Sequence, residues 1–313
     1  MRFPPHYWAV ILGGSSGFGL ATAAKLADHG MSCFLVHRDR RGAMARIEPH
    51  FHAIRERGVG LVTMNVDALD PATRDECLGR LAEALGTRDR VRVLLHSIAF
   101  GNLKLLIPER APARSAAAEL AAALGIDAAE VAAAANRLFA DGVAGLASLA
   151  DPPTYPTGAL LDEEDFARTI HAMGTSLVGW TRALVERGLF AADARVFGLT
   201  SEGNTVAWKG YAAVAAAKVA LESVARAMAI ELAPYGVRTN VIQACVTDTP
   251  ALRAIPGNQH LSAQARLRNP FRRLTTPEDV ANVIYLLSTD EAAWINGALV
   301  RVDGGEHVAG AVA

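Results

Sequence analysis

The apolar run Tyr7–Leu12 leads directly into Gly13-Gly-Ser-Ser-Gly-Phe-Gly19, and a helical pattern follows from Leu20 to His29, with Gly30 as its stop. A buried strand that turns through glycines into a helix leaves few folds open. Glycines let the backbone come close to a pyrophosphate, and the helix N-terminus adds N–H groups and positive potential. A glycine-rich loop alone is a weak signal; this one has a strand before it and a helix after it. The stretch therefore predicts the opening unit of a dinucleotide fold, with Gly13, Ser15, Ser16, Gly17, Phe18 and Gly19 on the cofactor.

The same rhythm continues. Strands are predicted at Met31–His37, Val59–Val66 and Val91–Ser97, with helices at 42–57 and Pro71–Leu85 between them. Asp70 is the N-cap and Pro71 the first helical residue of the latter. Later come a helix from Asp162 to Arg187, a strand Arg195–Thr200, a loop Ser201–Lys209 and a helix Trp208–Ala233. A strand Val237–Gln243, a Thr276-capped helix to Leu287 and a last strand Gly297–Val302 complete the pattern. Apolar strands alternating with helices predict an α/β fold: a Rossmann-like, doubly wound parallel sheet covered on both faces. At 313 residues and 51% hydrophobic, the chain has core enough for one domain, read as 1–313.

The third strand ends in Asn65-Val66, and Asn65 is expected to meet the adenine edge. The second ends in His37-Arg-Asp-Arg-Arg41, the point that faces the adenosine ribose in this fold. Arg38, Arg40 and Arg41 suit a 2′-phosphate and favour NADP(H), whereas Asp39 leaves NAD(H) open. Ser97, Ile98 and Ala99, closing the fourth strand, join the cofactor-binding candidates.

Between Asn102 and Leu161 the rhythm breaks. Alanine-rich segments at 111–124 and 128–149, separated by Gly125-Ile-Asp127, predict a helical hairpin, followed by the extended Asp151-Pro-Pro-Thr-Tyr-Pro156. This insertion leaves the carboxyl end of a central strand, where ligands bind in open α/β sheets. It reads as a lid or pocket wall, as an oligomer contact, or as surface embellishment. The loop-rich stretch 250–270, with a short helix, is a second lid candidate.

Net charge −1 gives no support to a nucleic-acid partner. Cys33, Cys77 and Cys245 have no metal-ligand spacing and suggest a reducing compartment; no metal is expected. Cys245 reads as a packed small hydrophobe or a thiol near the cofactor. Residues 1–6 lack the apolar core of a signal peptide, and no run of about 18 apolar residues suggests a membrane span. A cytoplasmic protein is expected.

The remaining feature is Tyr211-Ala-Ala-Val-Ala-Ala-Ala-Lys218. On one helix, positions i and i+7 share a face about 10 Å apart along the axis. The lysine could lower the tyrosine's proton affinity and hold a cofactor hydroxyl, while the tyrosine donates to a developing oxyanion. The small residues on this helix also allow close packing with another helix, from this subunit or another.

With Gly13-x3-Gly17-x-Gly19, the Tyr/Lys helix, the residues around Asn240 and Val302-Asp-Gly-Gly305, the chain resembles the short-chain dehydrogenase/reductase superfamily outside 102–161. More narrowly it looks like an enoyl-acyl-carrier-protein reductase. Ordinary ketone-reducing members place Tyr four residues before Lys, where this chain has Val214; Tyr211 gives the longer spacing of the enoyl reductases. His96-Ser-Ile-Ala-Phe-Gly101 is similar to their motif and replaces the usual Asn-Asn-Ala-Gly. Departures are Leu12 for a usual Thr, Ser201 where enoyl reductases have a second active-site Tyr, and Cys245-Val246 for Gly-Pro.

The resemblance implies NADPH-dependent reduction of the C2=C3 bond of an enoyl thioester, carried by acyl carrier protein or coenzyme A. Tyr211 would bond the thioester oxygen, Lys218 the nicotinamide ribose, and Ser201 the substrate carbonyl or Tyr211. The backbone near Val246 and Thr247 would meet the carboxamide, and Thr249 the phosphates. A homotetramer or homodimer is implied. A carbonyl reductase or alcohol dehydrogenase of the same superfamily, and a non-catalytic NADP(H)-binding regulator, are the alternatives.

Overall fold

The computed structural model describes residues 2–110, 115–156 and 158–310. Among these, seven parallel strands form one sheet: β1 (Tyr7–Leu12), β2 (Ser32–His37), β3 (Leu61–Asn65), β4 (Arg90–His96), β5 (Phe190–Ser201), β6 (Val237–Ala244) and β7 (Leu299–Val302). Their order is β3-β2-β1-β4-β5-β6-β7. The order reverses between β1 and β4, so a crevice opens beyond their carboxyl ends.

Side-chain alternation sorts the strand residues into two cores. On one face Ala9, Ile11, Leu35 and Leu95 pack with α1 (Gly17–Asp28), α2 (Met44–Arg55) and α11 (Pro277–Ser288). On the other, Val10, Leu12, Phe34 and Leu94 pack with α3 (Pro71–Leu85), α7 (Ser176–Glu186) and α8 (Ala212–Glu231). Burial on both faces explains why β1 and β2 read as continuous apolar runs.

The insertion carries α4 (Ala116–Leu124) and α5 (Ala128–Ala140). Residues 111–114, at the predicted start of the first segment, lie outside the described residues. The second helix stops well before 149: Gly142 takes φ +98°, and a 3₁₀ turn follows at Ala144–Leu146. The stretch 250–270 is more helical than expected, with α9 (Pro250–Arg253) and α10 (Asn258–Arg268).

The predicted helix from Asp162 to Arg187 is interrupted. After α6 (Glu163–Ile170) a π turn spans His171–Thr175 before α7 begins. Gly174 in this turn lies against α8: a Cβ there would stand 2.8 Å from the Ala217 carbonyl oxygen. Ala217 is buried in the same contact with Ala172 and Met173, so part of the small-residue face of α8 is occupied within the subunit.

The largest correction concerns Tyr211. The helix begins at Ala212, not Trp208, and Tyr211 is its N-cap, with φ −112° and ψ 2°. Gly210 before it takes φ +71°, a left-handed conformation that cannot continue a right-handed helix. Tyr211 contributes the first backbone acceptor of the helix, accepting from Ala215 N at 2.8 Å. Smaller differences are an earlier start for α1, a 3₁₀ turn Arg41–Ala43 before α2, and a longer β5.

Candidate active site

A cavity of about 640 Å³ lies at the carboxyl ends of the strands. Its floor is the glycine turn. Gly13 has φ +86°, and a Cβ there would lie 2.4 Å from the Ser97 carbonyl oxygen; on Gly19 it would lie 2.1 Å from the Gly13 carbonyl oxygen. The turn thus closes only with glycine at both places. Ser16 is the N-cap of α1 and makes no side-chain cap, so it leaves the first-turn N–H groups available. Uncapped donors at a helix start, over a side-chain-free floor, fit a diphosphate.

Gly13, Ser15, Ser16, Gly17 and Phe18 line the cavity, as do Val66, Ser97, Ile98, Ala99, Val246, Thr247 and Thr249. Gly19 acts through packing beneath the turn. The Thr249 hydroxyl caps α9 by accepting from Leu252 N at 3.2 Å, and Thr247 Oγ1 donates to the Cys245 carbonyl at 2.9 Å.

Of the three arginines after β2, only Arg38 lines the wall; Arg40 and Arg41 are exposed beside it. Its guanidinium donates to Asp67 at 2.6 Å and lies 4.5 Å from the Phe100 ring centroid. It is half exposed and stands over the adenosine end of the crevice, a position that suits a 2′-phosphate. Asn65 is not part of the wall. Its amide spans Asp39, accepting from the backbone N at 2.9 Å and donating to the carbonyl at 3.0 Å. In this arrangement Asn65 shapes the Arg38–Asp39 turn rather than offering its edge to the cavity.

Tyr211, Lys218 and Ser201 converge on the opposite end. The Tyr211 hydroxyl lies 3.2 Å from Ser201 Oγ. Burial pushes the phenol above its ordinary range, against the opposing pull of the Ser201 hydrogen bond, so it is protonated and able to donate. Lys218 Nζ donates to the Leu199 carbonyl at 2.8 Å, and burial pushes its pKa down to about 8. Val214, at the competing position, is part of the apolar wall with Met173.

Beneath them His96 is buried and bonded through Nε2 to Ser176 Oγ at 2.8 Å. Burial, then the neighbouring Lys218 charge, pushes its pKa down to about 3, so it is neutral. Ser176 in turn donates to the Ala172 carbonyl at 3.1 Å, inside the π turn.

Sequence reasoning missed Leu199, Glu202 and Trp208, which also line the cavity. Leu199 acts through a carbonyl, for which no side-chain signal exists. Glu202 adjoins Ser201 in a stretch read as plain loop. The insertion and the second lid candidate pack against each other: the Phe139 and His260 rings are 4.7 Å apart, and Pro153 and Tyr155 flank Gly257.

Residues 128–307 match the protein family described as Enoyl-(Acyl carrier protein) reductase. The chain is 31% identical over 124 residues to Carbonyl reductase [NADPH] 2 of Sus scrofa, covering 40% of this chain and 50% of that protein. It is 32% identical over 155 residues to Enoyl-[acyl-carrier-protein] reductase [NADH] FabI of Aquifex aeolicus (strain VF5), covering 49% and 57%. The chain thus spans about half the length of the curated relatives it matches. A short chain dehydrogenase from Burkholderia cenocepacia J2315, solved in complex with NADP, superposes with TM-score 0.67 at 20% identity, over 96% of this chain and 98% of that one. That likeness is one of fold. Among the described residues no helix is long and apolar enough to cross a membrane.

Proposed function

This chain belongs to the short-chain dehydrogenase/reductase superfamily, within the family described as Enoyl-(Acyl carrier protein) reductase, and from there we propose that it reduces the C2=C3 bond of an enoyl thioester with NADPH. It is an oxidoreductase of that superfamily, which uses nicotinamide dinucleotides. The observation that carries the finer reading is the hydroxyl pair of Tyr211 and Ser201 in one cavity with buried Lys218, opposite an apolar Val214.

The cofactor would be held by the glycine turn, the start of α1, Arg38 and Lys218; when bound it supplies a hydride to the β-carbon. Negative charge then gathers on the thioester oxygen. Tyr211, kept protonated by burial, donates a hydrogen bond to that oxygen, and Ser201 orients the phenol. Lys218 gives one N–H to Leu199 and directs its charge at the ribose end. A proton transferred to the α-carbon, from Tyr211 or from solvent, completes the reduction. Leu103, Met173, Trp208, Val214, Ile255 and Leu261 give the substrate end an apolar wall suited to an acyl chain. The insertion and α9–α10 would close over that chain, with acyl carrier protein or coenzyme A as carrier and a homodimer or homotetramer as the working form.

The test is nicotinamide oxidation by the purified protein with NADPH and crotonyl- or longer enoyl-thioesters. Two hydroxyls 3.2 Å apart also suit a carbonyl oxygen, and a second reading is ketone reduction. A panel with matched ketones separates the two: turnover of ketones with none of enoyl thioesters rejects the first. Tight NADP(H) binding without turnover of either would leave a cofactor-binding regulator.

A further inference from the structure

The motif Val302-Asp-Gly-Gly305 plays no part in the proposed chemistry, yet it is tied to the active-site loop. Asp303 builds a tight turn, accepting from Gly305 N at 2.9 Å and His307 N at 3.2 Å. The turn presents Glu306, which is fully buried, to Arg268 at the end of α10. The same guanidinium nitrogen, Nη2, donates to Glu306 and to Glu202. Asn269, next in the chain, donates to the Asp303 carbonyl at 2.9 Å, so α10 and the turn are joined twice.

Glu202 leads back to the hydroxyl pair. It follows Ser201 directly, and its carbonyl closes the loop by accepting from Thr205 N at 2.9 Å and Val206 N at 2.8 Å. The next residue, Gly203, lies against the tyrosine: a Cβ there would be 2.5 Å from the Tyr211 ring edge. A shift at Glu202 therefore moves both partners of the Ser201–Tyr211 bond.

The charges form one cluster at the cavity wall. One guanidinium faces two buried carboxylates, and Glu202 Oε1 and Glu306 Oε2 have no hydrogen-bond partner among the described residues. Burial raises the Glu202 carboxyl above its ordinary range, against the opposing pull of Arg268. The other groups around it are Cys245, just past the end of β6, with Asp303 and His307 from the turn. Burial raises the Cys245 thiol, so it stays neutral. Glu202, Cys245 and Glu306 each bring a ligand atom within 4.8 Å of the others, but Arg268 already stands between the carboxylates as their cation.

We infer that Arg268 is a positioning residue: clamped between Glu202 and Glu306, it locks the Ser201–Tyr211 pair to α10 and to the C-terminal turn. The chemical roles of Ser201 and Tyr211 rest on the proposed function; the clamp itself does not.

The experiment compares Arg268→Met, Arg268→Lys, Glu306→Ala and Glu306→Gln by amide hydrogen exchange and by steady-state kinetics. Arg268→Met and Glu306→Ala should speed exchange in residues 201–211 while β1 peptides stay as in the wild type. They should lower kcat by roughly 10- to 100-fold, the scale of a misplaced catalytic group, with NADPH affinity within about twofold. Arg268→Lys should recover part of the loss. Glu306→Gln, which keeps the side chain's shape and an oxygen that can accept from Arg268, should be milder than Glu306→Ala. Wild-type exchange at 201–211 in both Arg268→Met and Glu306→Ala overturns the clamp, as does a loss of protection spread equally over β1. A wild type that reduces no enoyl thioester rejects the proposed function, and the exchange results then decide the clamp alone.

Discussion

The Tyr211 hydroxyl and Ser201 Oγ stand 3.2 Å apart, joining the first cap of α8 to the last residue of β5. Within the pair, the hydroxyl that accepts keeps its own proton to donate onward; with Ser201 donating to the phenol, Tyr211 can serve a developing oxyanion. Tyr211→Phe deletes the donor without disturbing the ring. Its kcat should fall by about 10²–10³-fold, the usual loss for one oxyanion donor, with NADPH affinity retained. Ser201→Ala should cost less, because the phenol remains. Single-turnover reduction measured in both variants checks the order.

Lys218 predicts a pH dependence with opposite signs for activity and stability. Its pKa is pushed down to about 8 from the ordinary lysine value of 10.5. As pH rises through about 8 the folded protein loses this charge, and kcat/KM should fall on that side. Between about 8 and 10.5 the unfolded chain binds the proton more tightly, so this residue's contribution to stability rises with pH. In Lys218→Met both trends should vanish, as pH–rate profiles and chemical unfolding at several pH values would reveal.

Of Arg38, Arg40 and Arg41, only Arg38 lines the cavity. Arg38→Ala should raise the KM for NADPH by about tenfold or more, the loss of one charge-assisted contact, and leave NADH little changed. Arg40→Ala and Arg41→Ala should do much less. Equal effects of all three on the NADPH/NADH ratio would contradict the placement.

Gly13→Ala combines two faults: a Cβ 2.4 Å from the Ser97 carbonyl oxygen and a backbone at φ +86°. Strain of about 1–3 kcal/mol is expected for the conformation alone, with the clash in addition. The variant should unfold at lower denaturant and bind NADPH far more weakly, by fluorescence titration.

Much of the fold is legible in the residues. Strands buried on both faces leave unbroken apolar runs such as Trp8–Leu12, and the glycine turn is confined by sterics to one conformation. The start of α8 is not legible, because Ala-rich sequence carries helix propensity up to Tyr211 and only the φ of Gly210 cuts it off. For α5 the signal is present: Asp141-Gly142 ends the helix, but propensity alone runs through it. Contacts made by backbone, as Lys218 with Leu199, or between distant segments, as Glu202 with Arg268 and Glu306, have no local signature.

The π turn at His171–Thr175 keeps a rotational phase. One added residue turns the downstream helix by about 100° around the axis. Thr169 and Met173 thereby face Gly101 at the cavity side, while Leu177, Trp180 and Leu184 meet the sheet. Deleting any single residue from this turn would give a more regular helix and put Trp180 out of register with the core. The irregular turn is thus a timing element, a fixed offset that lets one continuous rod serve two differently aimed surfaces.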